Sequence, residues 1–242
     1  MRVLFFGSGA FGLPTLQELS RRHELAGVVS QPDRRAGRGG TLTPTPISAW
    51  AAHNLPGVTL YKPEKVNAAD ILGQTQRAID PMQTAGELHD QLAADGPGLV
   101  LSVLDQFSRA ALTPKTQDET KVTIAPKLSK ADGVVDFNTT ADEIRRRVHG
   151  LTPWPGVSVG FRDQGLKLLR VGVDALPTAA EPGSVFDAES GLVACGQRTA
   201  LQLIEVQAAG KRPMAWADFA RGARVERGEI LTGCQPGTPT AD

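Results

Sequence analysis

The sequence is poor in the residues that build disulfide scaffolds and metal centres. Its 242 residues include only two cysteines, Cys195 and Cys234, with no C-x-x-C pair and no histidine beside either one. This pattern excludes a disulfide framework and gives no zinc signature. We therefore expect both cysteines to be ordinary reduced thiols, and we expect no metal cofactor.

Excess charge and long apolar runs are also lacking. Lys and Arg number 26, and Asp and Glu also number 26, so no overall field draws the chain to nucleic acid or membrane, and any nucleic-acid contact must come from local basic patches. No apolar run approaches the ~20 residues of a membrane helix. Met1 is followed directly by a strand pattern and not by a signal peptide. We expect a cytoplasmic monomer without DNA or membrane partners.

The N-terminal stretch carries a glycine-rich turn, Gly7-Ser8-Gly9-Ala10-Phe11-Gly12. The surrounding pattern predicts a fully buried strand 2–6, a helix 13–22 and a strand 25–30, which together form a β-α-β unit with parallel strands. The spelling G-x-G-x-x-G is typical of dinucleotide sites, which also need an acid at the end of the second strand. That strand ends at Ser30, and Asp33 lies beyond it in the loop. The turn is therefore interpreted as structural, and no NAD is expected.

A long polar loop, residues 31–46, follows the second strand and carries several arginines. Beyond it the pattern predicts helix 47–54, strand 58–61, a strand near 71–79, a helix opened by the capping box Thr84-Ala85-Gly86-Glu87, and a second helix from about Pro97 to Phe107. Residues 108–133 have the composition of an extended polar linker. The first domain is therefore α/β and covers residues 1–107.

The C-terminal part has a different character. A second capping box, Thr140-Ala141-Asp142-Glu143, opens a helix that displays Arg145, Arg146 and Arg147. Short alternating strands are then predicted at 157–161, 166–173, 183–186, 192–195 and 200–207, followed by a helix at 214–225. This spacing indicates a small β-barrel or sandwich over residues 134–231, with a disordered tail at 232–242.

Five fragments in order resemble one family. They are "VLFFGSGAFGLPTLQEL", "GVVSQPDRRAGRGGTLTPTPI", "DETKVTIAPKLSKADGVVDF", "PWPG" and "LQLIEVQAAGKRPM", and together they are similar to methionyl-tRNA formyltransferases. The resemblance implies a Rossmann-like N-terminal domain followed by an OB-like C-terminal barrel that helps to hold tRNA. It implies transfer of a formyl group from 10-formyltetrahydrofolate to the methionyl amino group of initiator tRNA.

This sequence departs from the family in the region that holds the family's catalytic core. The family carries an Asn-x-His strand end, a Ser-Leu-Leu-Pro segment and a later Asp, which supply oxyanion donors and proton transfer. None of the four histidines, which are His23, His53, His89 and His149, stands in an Asn-x-His motif, and Ser-Leu-Leu-Pro does not occur. We assign no catalytic residue and infer an internal deletion near residues 67–70, which truncates the Rossmann-like domain.

The deletion has a predicted structural cost. The missing part includes strands that neighbour strand 2–6 in the family, so this apolar strand is expected to lose partners on one side. An exposed apolar edge strand invites aggregation or new pairing. Residues 71–79 are a candidate to pair beside it.

The remaining basic residues indicate a tRNA interface. The resemblance assigns tRNA contact to Arg34 and Arg38 in the loop, Lys127 and Lys130 in "PKLSK", and Lys211 and Arg212 in "AGKRPM", with Arg145–Arg147 adding charge nearby. Such side chains would contact phosphates. The folate-binding residues stay unassigned. Trp154 is expected to pack at the barrel entrance; base stacking is the alternative, and it is disfavoured because the flanking prolines favour a fixed structural turn.

Three functions stay open on the sequence. The first is a methionyl-tRNA formyltransferase, by family. The second is a deleted form that does not catalyse and at most binds tRNA. The third is another folate-dependent formyltransferase or a formyl hydrolase, against which "AGKRPM" and "APKLSK" argue. The family resemblance favours descent from a methionyl-tRNA formyltransferase. For the activity of the present chain we favour the second function, because the missing donors carry most of the transition-state stabilisation.

Overall fold

The computed structural model describes residues 1–36, 41–63, 70–175 and 177–233. The chain divides into two compact units. The first unit contains residues 1–78 and 89–124, and the second contains residues 79–88 and the chain from residue 125 onward. Residues 67–69, which flank the inferred deletion, lie outside the described residues.

The first unit is a short α/β assembly. Its elements in chain order are β1 (Arg2–Phe6), α1 (Leu13–Arg22), β2 (Glu24–Val29), β3 (Arg34–Ala36), β4 (Thr41–Thr43), α2 (Pro46–Asn54), β5 (Leu60–Tyr61) and α3 (Ala85–Ser108), whose first four residues belong to the second unit. A parallel sheet has the order β1-β2-β5, which confirms the predicted β-α-β start. Helices α1 and α2 supply Leu16 and Ile47 to a core shared with Phe5 and Val28.

Strand β1 lies at the edge of this sheet. Among the described residues it pairs with β2 alone, as the inferred deletion predicts. The predicted full burial is wrong, because only Phe5 is buried, whereas Leu4 and Phe6 are 47% and 55% exposed. The strand predicted near 71–79 is also wrong: only Ile71 forms a bridge, with Lys115, and the segment does not pair with β1.

Helix α3 is continuous where the sequence predicts two helices. Its capping box is confirmed, since the Thr84 N–H donates to the Glu87 carboxylate at 2.8 Å and the Glu87 N–H donates to the Thr84 hydroxyl at 3.3 Å. Pro97 lies inside the helix and does not end it. The physical reason is packing: Val100, Leu101 and Leu104 on the following turns lie against the first core. This burial outweighs the one backbone hydrogen bond that proline removes.

The second unit is built on an antiparallel sheet. Its elements are α4 (Ala141–Leu151), β6 (Val157–Phe161), β7 (Gln164–Asp174), β8 (Val185–Asp187), β9 (Leu192–Ala194), β10 (Ala200–Ala208), β11 (Met214–Ala215), α5 (Trp216–Ala223) and β12 (Leu231–Gly233). The strand order is β12-β6-β7-β10-β9-β8, with β11 beside β10. All five strands predicted here are present, whereas β11 and β12 were not predicted. The predicted helix 214–225 is shorter, as α5, and Thr232 belongs to β12 and not to the predicted tail.

The ends of this sheet meet, which closes it into a barrel. The Val185 N–H donates to the Glu229 carbonyl at 2.7 Å, and the Leu231 N–H donates to the Gly183 carbonyl at 2.8 Å. Among the described residues, twenty-one buried apolar residues from the sheet, α4, α5 and the adjoining loops form one core inside. Cys195 lies in this core, where burial raises the pKa of its thiol to about 12 and keeps it protonated.

Candidate nucleic-acid interface

The glycine-rich turn is fixed by the ring of Phe5. A Cβ placed on Gly7 would lie 2.7 Å from Phe5 Cε1, and one placed on Gly12 would lie 3.3 Å from Phe5 Cζ, whereas a Cβ on Gly9 would meet nothing within 4 Å. A side chain at position 7 would therefore force the Phe5 ring to move, whereas one at position 12 would make a tight contact that a small shift of the ring relieves. The N–H of Gly7 donates to the carbonyl of Val29 at 2.9 Å, which ties the turn to β2.

Hydroxyl groups cluster where β1 and β2 end. Ser8 Oγ accepts the N–H of Gln31 at 2.9 Å, and the buried Ser30 hydroxyl lies 3.3 Å from Ser8 Oγ and 2.6 Å from Thr45 Oγ1. Thr45 in turn caps α2. Asp33, the acid that a dinucleotide ribose would need, accepts a 2.5 Å hydrogen bond from Lys62 Nζ. The hydroxyl groups of Ser8, Ser30 and Thr45 therefore lie within hydrogen-bonding distance of one another, and these three side chains carry no charge.

His149 is a buried structural residue. It is 3% exposed, its Nδ1 lies 3.0 Å from the Pro81 carbonyl oxygen, and its Nε2 accepts the Val171 N–H at 3.2 Å. This geometry requires the tautomer with hydrogen on Nδ1. Burial lowers the pKa of the imidazole, so the ring is neutral and both nitrogens are occupied. His149 therefore has a packing role and is not a catalytic group.

Residues 81–87, at the start of α3 and just before it, are held against the barrel by hydrogen bonds from arginine side chains. Arg170 donates to the carbonyl of Met82 and, at 2.6 Å, to the Glu87 carboxylate. Arg145 donates to the carbonyl of Pro81. The hydrogen bond from Arg170 lowers the pKa of Glu87 to about 2. These contacts explain why residues 79–88 group with the second unit.

Five of the six basic residues assigned to tRNA contact lie within the described chain. Arg34 is on β3, Lys127 and Lys130 precede α4, and Lys211 and Arg212 follow β10. All five are exposed, and none forms an ion pair within the ranges that the structure describes. Arg38 lies outside the described residues. Exposed cations without carboxylate partners are the groups that phosphate contacts require, but the assignment of these residues stays a prediction.

The arginines of α4 are already engaged. Arg145 and Arg146 both form ion pairs with the carboxylate of Asp142. Arg147 donates a hydrogen bond to the Asp132 carbonyl at 3.0 Å. Their charge near the barrel is therefore partly neutralised. The sequence shows the basic run but not its partners, because i,i+3 and i,i+4 pairing depends on side-chain conformation.

Trp154 does not pack at the barrel entrance, so the predicted packing role is wrong. The residue is 56% exposed and is not part of the barrel core. Lys167, which sequence reasoning did not single out, reaches this turn: its Nζ lies 3.3 Å from the carbonyl oxygen of Pro153. The alternation of Leu166, Lys167 and Leu168 on β7 was the available signal, because it places the lysine on the outer face between two buried leucines.

The described chain offers neither a metal centre nor a membrane-spanning helix. No group of three or more His, Cys, Asp and Glu residues is arranged to hold a metal ion in the ranges given above. No helix there is long and apolar enough to cross a bilayer.

Sequence comparison gives a single consistent result. The formyl transferase C-terminal domain family matches residues 127–224. Methionyl-tRNA formyltransferase of Bacillus subtilis is 29% identical over 308 positions, covering 95% of this chain and 97% of the relative. The enzyme of the same name from Chloroflexus aurantiacus is 30% identical over 305 positions, covering 93% and 98%.

Structure comparison finds similar folds in proteins that were solved with folates. HypX from Aquifex aeolicus, solved with tetrahydrofolic acid, has a TM-score of 0.55 at 16% identity and covers 91% of this chain and 47% of its own. WlaRD, a sugar 3N-formyl transferase solved with dTDP and 5-N-formyl-THF, has a TM-score of 0.61 at 9% identity, covering 88% and 99%. These likenesses support a Rossmann-like domain followed by a barrel-like domain.

The length of the alignment shows how many of its positions have no residue in this chain. The alignment to the Bacillus subtilis enzyme has 308 positions, and this chain has only 242 residues, so at least 66 positions of the alignment have no residue of this chain. The match nevertheless extends over nearly the whole of both proteins. With 30% identity to a relative that it covers almost completely, the chain belongs to the methionyl-tRNA formyltransferase family.

Proposed function

We propose that this chain binds initiator methionyl-tRNA as its relatives' name implies, and that it does not transfer the formyl group at an enzymatic rate. The observation that carries the proposal is the first unit's sheet, which stops at β1 in the described residues and leaves only the order β1-β2-β5. The missing alignment positions and the absent Asn-x-His motif are both consistent with loss of the strands beyond β1.

The tRNA contact rests on the second unit. Its barrel core has twenty-one buried apolar residues, so this unit has the packing needed to hold basic side chains in place. Lys127, Lys130, Lys211 and Arg212 are exposed there without carboxylate partners in the described chain. We infer that they contact phosphates, with Arg34 and Arg38 of the first unit acting at the acceptor end.

The co-substrate 10-formyltetrahydrofolate is proposed on the family and on the folates bound to the two solved neighbours. The residues present fit it poorly. The polar groups at the ends of β1 and β2 are hydroxyls that bond one another, and Asp33 is paired with Lys62. No step of formyl transfer is therefore assigned to this chain.

A formylation assay tests the proposal directly. Purified chain is mixed with methionyl-tRNA and 10-formyltetrahydrofolate, with the Bacillus subtilis enzyme as the positive control, and tRNA binding is measured in parallel by filter retention. We expect salt-dependent binding and turnover lower by several powers of ten, because each lost oxyanion donor costs roughly 100- to 1,000-fold.

Two outcomes would change the proposal. Turnover close to that of the positive control would refute the loss of catalysis. Hydrolysis of 10-formyltetrahydrofolate without tRNA would instead support the formyl hydrolase alternative.

A further inference from the structure

The turn that carries Trp154 is held firmly by backbone contacts. The Gly156 N–H donates to the Leu151 carbonyl at 2.8 Å, and the Gly86 N–H donates to the Thr152 carbonyl at 3.0 Å. Gly156 has a φ of 79°, which strongly favours glycine, and Lys167 crosses where a Cβ would lie. The turn is therefore fixed by groups other than the indole ring.

The indole of Trp154 is not engaged by polar or aromatic groups of the described residues. Within the described chain Trp154 forms no hydrogen bond, ring contact or cation–π contact, and it is 56% exposed. Trp216, by contrast, is 2% exposed and donates its Nε1–H to the Ala188 carbonyl. Trp154 therefore presents a flat aromatic surface to solvent on a rigid support, which lowers the entropy cost of binding a flat ligand.

A polar row with positive charge reaches the turn that carries Trp154, since Lys167 Nζ lies 3.3 Å from the carbonyl oxygen of Pro153. Ser158, Lys167 and Gln207 stand opposite one another across β6, β7 and β10, on the outer face of the sheet. Gln207 donates to the Lys211 carbonyl at 2.8 Å, which continues the row into the basic turn. Lys167 has no carboxylate partner among the residues described, so its charge is available to an anion.

We propose that Trp154 is a stacking platform for an unpaired base of the RNA substrate, and that Lys167 binds a phosphate of the same strand. The proposal rests on the proposed function and deepens it by naming a contact that the basic segments do not supply. An aromatic ring next to lysines is the arrangement that binds single-stranded nucleic acid, because the ring takes the base and the cation takes the backbone. A paired base offers only its edge, since its faces are covered by neighbouring pairs.

Tryptophan emission and affinity test the proposal together. Three RNA ligands are titrated: uncharged initiator tRNA, a single-stranded oligoribonucleotide ending in CCA, and a blunt RNA duplex. Each is added to the full chain and to the variants Trp154→Ala, Trp154→Phe and Phe107→Ala. Phe107 is the matched control, because it is also exposed, at 64%, but lies in α3.

We expect the tRNA and the single strand to quench emission and the duplex to quench little. The dissociation constant for tRNA should rise roughly 5- to 150-fold for Trp154→Ala and less for Trp154→Phe, which keeps a ring. Phe107→Ala should bind as the parent does. Lys167→Gln keeps a donor for the Pro153 carbonyl, and its log–log salt slope should fall by about one.

The experiment separates a failure of the stacking proposal from a failure of the proposed tRNA binding. If tRNA binds the parent chain and Trp154→Ala with equal affinity, or if emission does not change on binding, the stacking platform is refuted while tRNA binding stands. If tRNA does not bind the parent chain at all, both the proposed function and this inference are overturned. An unchanged melting temperature in Trp154→Ala, expected from its exposure, shows that lost affinity is not lost folding.

Discussion

Acidification from pH 7 to pH 5 should weaken the second unit through His149. The ring is buried, and its Nε2 accepts the Val171 N–H at 3.2 Å. A second proton would bind at this nitrogen and set two donors against each other. Burial is the largest effect and lowers the pKa of the imidazole below 6.5. The hydrogen bond to the Pro81 carbonyl and the charge of Glu87 act against this shift, and the charges of Arg145 and Arg170 add to it.

The sign and size of the effect follow from this shift. Below pH 6.5 the unfolded chain binds a proton that the folded chain rejects, so the free energy of unfolding falls as pH falls. The slope is at most about 1.4 kcal/mol per pH unit and ends at the pKa of the folded state. Glu87, with its pKa lowered from 4.5 to about 2, loses its stabilising contribution only below pH 4.5. The loss through His149 therefore begins at a higher pH than the loss through Glu87.

Urea unfolding at pH 7, 6 and 5 measures the slope, and amide exchange at Val171 reports the affected hydrogen bond. His149→Gln is the control, because an amide side chain can supply one donor and one acceptor but does not titrate. Its stability should change less over this range. Parallel pH curves for the parent and His149→Gln would show that His149 is not the source, and the reasoning from its two hydrogen bonds would be wrong.

Three further outcomes are expected. Gly7→Ala should destabilise the first unit by about 1–3 kcal/mol in chemical unfolding, because the new Cβ meets Phe5, whereas Gly9→Ala, with open space, should change stability far less. Lys127→Ala should reduce the salt slope of tRNA binding by about one in filter retention, and Arg146→Ala, whose charge is already paired, should reduce it less; equal slopes would contradict the assignment. Phe6→Lys should lower light scattering at high concentration by charging the open edge at β1, and unchanged scattering would argue against edge pairing.

Sequence patterns located the barrel strands because their apolar residues lie between turn signals and several strands alternate; β6 alternates along its whole length, whereas all three residues of β9 are buried. The run of Leu166, Lys167 and Leu168 shows the rule, with both leucines buried and the lysine turned outward. Prediction failed for residues 71–79, where "ILGQTQRAI" has apolar residues but the structure gives it no partner strand beyond the bridge at Ile71. A strand is defined by its neighbour, which sequence alone does not provide.

The site was harder to predict than the fold. The exposed lysines of the "PKLSK" segment could be found because charge and surface position usually coincide. The direction of Trp154 could not, because flanking prolines indicate a turn without saying which side of it faces the core. The engagement of Arg145 and Arg146 by Asp142 was hidden for a similar reason.

In the part of the chain that the structure describes, the two apolar cores differ greatly in size, with twenty-one buried residues in the barrel cluster and six in the cluster beneath β1. Unfolding free energy scales with buried apolar surface, so heating should melt the first unit well before the second. A protease added between the two transitions would leave the barrel intact. Two separate transitions of this kind would let the barrel keep its fold in a chain whose first unit has lost strands.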